Sequence, residues 1–307
     1  MRQRTRVWGM ALAWACVLCA CAPRDLTPPP AAVSPAKIAL VLGAGAAKGF
    51  AHLGVLKVLE SHKIPIGLVV GTSAGSVVGS LYAAGYSAFQ LQGLALALQR
   101  DDVLDIALPD NGFIKGERLE AYINRMVRNA PLEGLKTPFF AVATHLQKGE
   151  EVVFATGNTG TAVRASCSIP GVFRPVRIGG KTYVDGGVVS PVAVEAARRQ
   201  GAHAVIAVDL SAGVQNVTPQ GTIETILQSI DIMYARIAAV QLAKADVVIR
   251  PKVGHIASDD FSRRHEAILE GEKAAMEQMP AIQALLQQLR QEGRLPPESA
   301  ALSPRGS

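Results

Sequence analysis

The sequence predicts an α/β fold built on a mostly parallel sheet, as one large domain or at most two small ones. Three observations carry that reading. Short apolar runs alternate with helix-length segments from residue 37 onward. The runs at 37–42 and 66–70 are mainly apolar and the run at 204–208 is apolar throughout, as in buried strands. The 307 residues, 49% hydrophobic, supply enough apolar side chain for a sizeable core.

Residues 37–42 read as a strand that ends in glycines, and 48–60 as a helix with Leu53, Leu56 and Leu59 on one buried face. A second strand, 66–70, precedes a second helix, 74–84. This order implies parallel pairing with right-handed crossovers. Helices are expected at 88–99 and 118–129, divided by a loop containing Pro109, Asn111 and Gly112. The 101–116 segment is a candidate to line or cover a cleft. Strands at 139–144 and 151–155 flank a turn at Lys148-Gly149, and 182–184 is a further short strand. Ser190, Pro191 and Gly201 mark another helix as N-cap, first-turn proline and C-terminal stop. A strand at 204–208, a long helix at 222–244 and a last strand at 247–249 follow. Residues 261–290 read as helical with a break at Pro280. The chain has no internal repeat.

The N-terminus has the form of an export signal. Arg2, Arg4 and Arg6 precede an apolar run, 7–20, too short to span a bilayer comfortably. Leu18-Cys19-Ala20-Cys21 has the pattern of a bacterial lipoprotein box, with Cys21 as the acylated residue. Residues 1–20 are then a signal peptide, 21–36 a Pro/Ala-rich tether, 37–292 the folded domain and 293–307 a polar, disordered tail. The rival is an uncleaved anchor helix or simple secretion. Ala22 is not the aspartate associated with inner-membrane retention, which favours a periplasm-facing outer-membrane location. The net charge is +6, and removal of the three arginines leaves +3. No basic run with interleaved aromatics points to nucleic acid. No His/Asp/Glu cluster has metal-ligand spacing, so neither metal nor cofactor is expected.

Gly71-Thr72-Ser73-Ala74-Gly75 has the G-x-S-x-G form between an apolar strand and a helix. A serine on such an elbow needs flanking residues without a Cβ, and it faces the positive end of the following helix. Gly43 to Gly49 follows the first strand and presents backbone N–H groups, an anion-binding arrangement. It lacks the Gly-Lys-[Ser/Thr] of a nucleotide loop, and an oxyanion hole one βαβ unit from Ser73 is the better reading. A serine needs a base. His203, His255 and His265 do not stand at a strand end with glycines around it and read as structural or surface residues. Asp185-Gly186-Gly187 follows a strand, and burial would raise the carboxylate toward a useful base. An inert Asp-Gly turn is the equal alternative on these residues alone.

Taken in order, Gly43 to Gly49, Gly71-Thr72-Ser73-Ala74-Gly75, Ser168-Ile169-Pro170-Gly171-Val172-Phe173 and Asp185-Gly186-Gly187 resemble the motifs of the patatin-like phospholipases, most of all their bacterial branch. The resemblance covers roughly 37–209. It implies a three-layer α/β/α fold and hydrolysis of lipid acyl esters, such as a phospholipid or lysophospholipid. It implies Ser73 as nucleophile and Asp185 as base, with no catalytic histidine. Gly71 and Gly75 would form the elbow. The N–H groups of Gly43, Gly45, Ala46, Ala47, Lys48 and Gly49 would form the oxyanion hole. Ser168 and Pro170 would shape the wall. Many members carry consecutive glycines and an arginine in the first loop. Here Ala44, Ala46 and Ala47 intervene and Lys48 takes the basic position, a change that backbone donors survive. A thioesterase on the same fold, or a non-catalytic lipid- or partner-binding lipoprotein, is the alternative.

Overall fold

The computed structural model describes residues 34–106, 112–211 and 218–297. In chain order the elements are β1 (Ile38–Leu42), α1 (Ala51–Ser61), β2 (Leu68–Thr72), α2 (Ala74–Ala83), α3 (Ala88–Ala97), α4 (Arg100–Val103), α5 (Glu117–Met126), β3 (Phe139–His145) and β4 (Glu150–Phe154). They continue as α6 (Thr159–Ser166), β5 (Val176–Ile178), β6 (Lys181–Asp185), α7 (Val194–Arg199), β7 (Ala204–Val208), α8 (Thr222–Leu242), β8 (Val247–Ile249) and α9 (Arg264–Gln291).

The strands form one mixed sheet in the order β5-β6-β3-β2-β1-β7-β8, with β4 paired to β3. The central pairings β3–β2, β2–β1, β1–β7 and β7–β8 are parallel. Alternate residues of β1 explain the layers. Ile38, Leu40 and Leu42 pack into a core shared with α1, α3 and α9, whereas Ala39 and Val41 pack with α7 and α8. Helices cover both faces, so β1 and β7 are buried and apolar at every position. This is the three-layer α/β/α arrangement with a mostly parallel centre.

One feature of the sheet brings distant residues together. β4 pairs with β3 at 141–145, β2 pairs at 139–142 and β6 pairs at 143–145. β2 and β6 must therefore share the edge of β3 opposite β4, end to end and in opposite directions. Their C-terminal tips meet there: Thr72 lies across from Val142, and Asp185 across from the next residue, Ala143.

The structure differs from the sequence reading at several points. α6 and β5 were not expected; α6 is short and is capped by Asn158, whose side chain accepts from Thr161 N–H at 2.8 Å. α7 starts at Val194, with Ala193 and not Ser190 as its N-cap. The Ser190-Pro191 segment is held elsewhere: Ser190 O accepts from Thr72 Oγ1 at 3.0 Å, and Pro191 O accepts from Ala44 N–H at 2.9 Å. α9 runs unbroken through Pro280. The proline is exposed, and so is Met276, whose carbonyl loses its donor, so water can replace the missing bond. The end of the domain also extends past the expected start of the tail at 293. Arg294 donates to Leu289 O at 2.9 Å and accepts from Ala36 N–H at 2.8 Å, and Leu295 packs on the core.

Candidate active site

Ser73 sits between β2 and α2 with φ 53, a left-handed conformation that costs a non-glycine residue about 1–3 kcal/mol. The surroundings enforce it. A Cβ on Gly71 would lie 2.5 Å from Gly75 O, and one on Gly75 would overlap the Leu42 carbonyl. The two glycines let the elbow close against β1. Ser73 N–H donates to Ser166 Oγ at 2.9 Å, and Ser166 Oγ–H donates to Val142 O at 2.5 Å, which pins the elbow to α6 and β3.

Ser73 Oγ–H donates to Asp185 Oδ2 at 2.6 Å, and both residues are buried. The other oxygen, Oδ1, accepts from Gly187 N–H at 2.7 Å and from Tyr234 Oη at 3.0 Å. Burial raises the Asp185 carboxyl from 3.8 to about 6; the hydrogen bonds from Ser73, Gly187 and Tyr234 oppose that rise. At neutral pH the group is mostly ionised yet proton-seeking, the state suited to general-base work.

The loop after β1 lies beside the elbow because β1 and β2 run in parallel register, Leu42 opposite Gly71. Not all of its N–H groups are free. Gly43 donates to Val208 O, Ala44 to Pro191 O, Ala47 to Ser258 O and Lys48 to Gly45 O, at 2.9–3.0 Å. Gly43, Ala47 and Lys48 are thus corrected as oxyanion donors: their N–H groups already serve protein carbonyls. Gly45 and Ala46 make no such bond and remain candidates. Ala46 has φ 48, which turns the chain between them. His52 anchors the loop from α1. Its ring is fully buried and held neutral, its pKa lowered to about 4 by burial, and Nε2–H donates to Gly43 O at 2.9 Å. The Lys48 side chain turns inward to a 2.7 Å ion pair with Asp231.

A cavity of ≈ 250 Å³ opens over these groups. Ser73 lines it together with Ala46 and Gly49 of the loop after β1, and Leu81, Leu94, Tyr122 and Phe173 are among its apolar walls. Val103, Leu104 and Ile114 of the 101–116 segment also line it; residues 107–111 lie outside the described ones. Ile169, Val172 and Phe173 stand in the wall where Ser168 and Pro170 were expected. Ser168 instead lies behind Asp185, its carbonyl accepting from Asp185 N–H at 2.8 Å. None of the three candidate histidines lines the cavity. His203 Nδ1 accepts from Lys37 N–H, His255 pairs with Glu266, and His265 is exposed. Tyr234, Ser166, Asp231 and His52 were missed by sequence reasoning. Only His52 carried a trace of its role, as a polar residue on the buried face of α1. Cys21 lies outside the described residues. Among the described residues, no His/Cys/Asp/Glu group has the arrangement of a metal site.

A serine–carboxylate pair on an α/β/α sandwich, under an apolar cavity, has the geometry to act on ester bonds of apolar substrates. The sequence model for patatin-like phospholipases matches residues 40–198, and the chain belongs to that family. Lysophospholipase NTE1 of Debaryomyces hansenii is 28% identical over 293 residues, which is 85% of this chain and 18% of that protein. Patatin-like phospholipase domain-containing protein 6 of Homo sapiens is 35% identical over 193 residues, 60% of this chain and 14% of the relative. An uncharacterized NTE family protein of Mycobacterium tuberculosis is 34% identical over 191 residues, 60% of this chain and 53% of the relative. The chain thus spans from about a seventh to about half of the length of these relatives. VipD from Legionella pneumophila shares the fold, with a TM-score of 0.55 at 14% identity over 82% of this chain and 67% of VipD.

Proposed function

We propose that this protein hydrolyses the acyl ester of a phospholipid or lysophospholipid with a Ser–Asp dyad. The observation that carries the reading is the 2.6 Å hydrogen bond to Asp185 Oδ2 from Ser73 Oγ, which lines a mainly apolar cavity. The acyl chain lies along the apolar walls, which brings the ester carbonyl to Ser73. Asp185 takes the Ser73 proton as Oγ attacks the carbonyl carbon. The N–H groups of Gly45 and Ala46 receive the developing oxyanion, each donor contributing about 3 kcal/mol to the transition state. The proton passes to the leaving alcohol, and Asp185 then activates the water that cleaves the acyl-enzyme.

The same proposal anchors the protein to the bacterial envelope through acylated Cys21, with the domain facing the periplasm. The purified protein, presented with phospholipid, lysophospholipid and acyl-thioester substrates, tests the chemistry. Hydrolysis by the wild type should fall to background in Ser73→Ala, and a serine-reactive phosphonate should label only the wild type. Alanine at His203, His255 or His265 should leave most of the rate. An essential histidine, or labelling of another serine, would refute the dyad.

A further inference from the structure

α8 lies beyond the stretch matched by the family model, residues 40–198, yet two of its side chains reach the site. Tyr234 is buried and donates from Oη to Asp185 Oδ1 at 3.0 Å. Asp231, one helical turn earlier on the same side of α8, accepts from Lys48 Nζ at 2.7 Å and from Ser258 Oγ at 3.0 Å. The helix therefore holds both the Asp185 carboxylate and the loop carrying Gly45 and Ala46.

The place of the Tyr234 ring is built into the backbone. A Cβ at Gly187 would overlap the ring and its hydroxyl, so the second glycine of Asp185-Gly186-Gly187 is what admits the tyrosine. The consequence for Asp185 is one of division of labour between its oxygens. Gly187 N–H and Tyr234 O–H occupy Oδ1, and Oδ2 is left for Ser73. A carboxylate gripped on one oxygen cannot rotate about its Cβ–Cγ bond, and its free oxygen stays aimed at the nucleophile.

We infer that Tyr234 is a positioning residue of the hydrolytic site, which acts through Asp185 by holding Oδ1 and directing Oδ2 at Ser73. The inference rests on the reading of Asp185 as the base. It has an electrostatic consequence as well. Tyr234 donates to the ionised form of Asp185 and so opposes the upward push of burial. The groups facing Asp185 are Ser73, Tyr234 and Cys167, and Tyr234 in turn faces Asp231 and Cys167. Burial pushes Cys167 and Tyr234 up, so both stay protonated around neutrality, and a shift in the acid limb reports on Asp185.

Tyr234→Phe keeps the ring and removes only the hydroxyl. Its kcat/KM profile should have an acid limb displaced upward by about one pH unit, a tenfold change in proton affinity. At pH 6 the loss should then be about fivefold, with KM little changed and the wild-type rate largely regained above pH 8. The rate of phosphonate labelling at Ser73 should move along the pH axis by the same amount. An acid limb left at its wild-type position, or a uniform loss at every pH, would overturn the inference and leave Tyr234 as packing. Asp185→Asn is the parallel control. If it retains turnover, the base reading itself fails; if it is inactive while Tyr234→Phe keeps the wild-type limb, only the role of Tyr234 fails.

Discussion

Asp185→Asn should abolish hydrolysis and, at neutral pH, make the protein more stable. The wild-type carboxyl is fully buried and its pKa rises from 3.8 unfolded to about 6 folded. At about 1.4 kcal/mol for each pH unit, that rise amounts to a penalty of about 3 kcal/mol on folding with the group ionised. A raised folded pKa means that the unfolded state releases the proton first. Wild-type stability is therefore greatest below pH 4, falls as pH rises from 4 to 6, and is about 3 kcal/mol lower from there on as far as this group is concerned. Asparagine removes the titration. Its amide oxygen can keep the bonds from Gly187 and Tyr234 while its NH2 donates to Ser73 Oγ, so the geometry survives. Urea unfolding of wild type and mutant at pH 4.5 and pH 8 measures the difference directly. The mutant should gain on the wild type by about 2 kcal/mol between those two values, with turnover at background. A stability difference independent of pH would refute the buried-carboxylate reasoning. Retained turnover would refute the role of Asp185 as base.

Three further outcomes follow from the same geometry. Gly187→Ala should cost about 1–3 kcal/mol from overpacking, measured by thermal unfolding, and should raise the acid limb of the rate profile because the new methyl displaces the Tyr234 hydroxyl from Asp185. Asp231→Asn leaves the Lys48 ammonium, only 3% exposed, without its charged partner; a loss of about 3 kcal/mol and a lower plateau rate with no change in the acid limb are expected from urea unfolding and kinetics. Cys21→Ser should prevent acylation and signal cleavage after Ala20, and mass spectrometry of the mature N-terminus reads both; an unmodified N-terminus in the wild type would end the lipoprotein assignment.

Much of this protein was legible in the sequence, for reasons that are local. The apolar runs at 204–208 and 247–249 coincide with β7 and β8, because a strand covered on both faces must be apolar throughout. Gly71 and Gly75 announce the elbow, because no side chain fits where they meet Gly75 O and Leu42 O. What the sequence left open is the partner of Ser73. Asp185 is 112 residues away, and an Asp-Gly turn has the same local chemistry whether or not it serves a nucleophile. Only the sheet brings the two side chains into hydrogen-bond contact, by setting β2 and β6 tip to tip on one edge of β3. The same holds for the N–H groups of the glycine loop, four of which are drawn to carbonyls of Val208, Pro191, Ser258 and Gly45. Tyr234 had no signature, since a tyrosine on the buried side of a long helix looks like core until the far end of its ring meets a carboxylate. Backbone conformation and burial are written in neighbouring residues, and the sequence determined those. Hydrogen bonds across 49 or 112 residues depend on strand order and helix placement, which only the folded chain supplies.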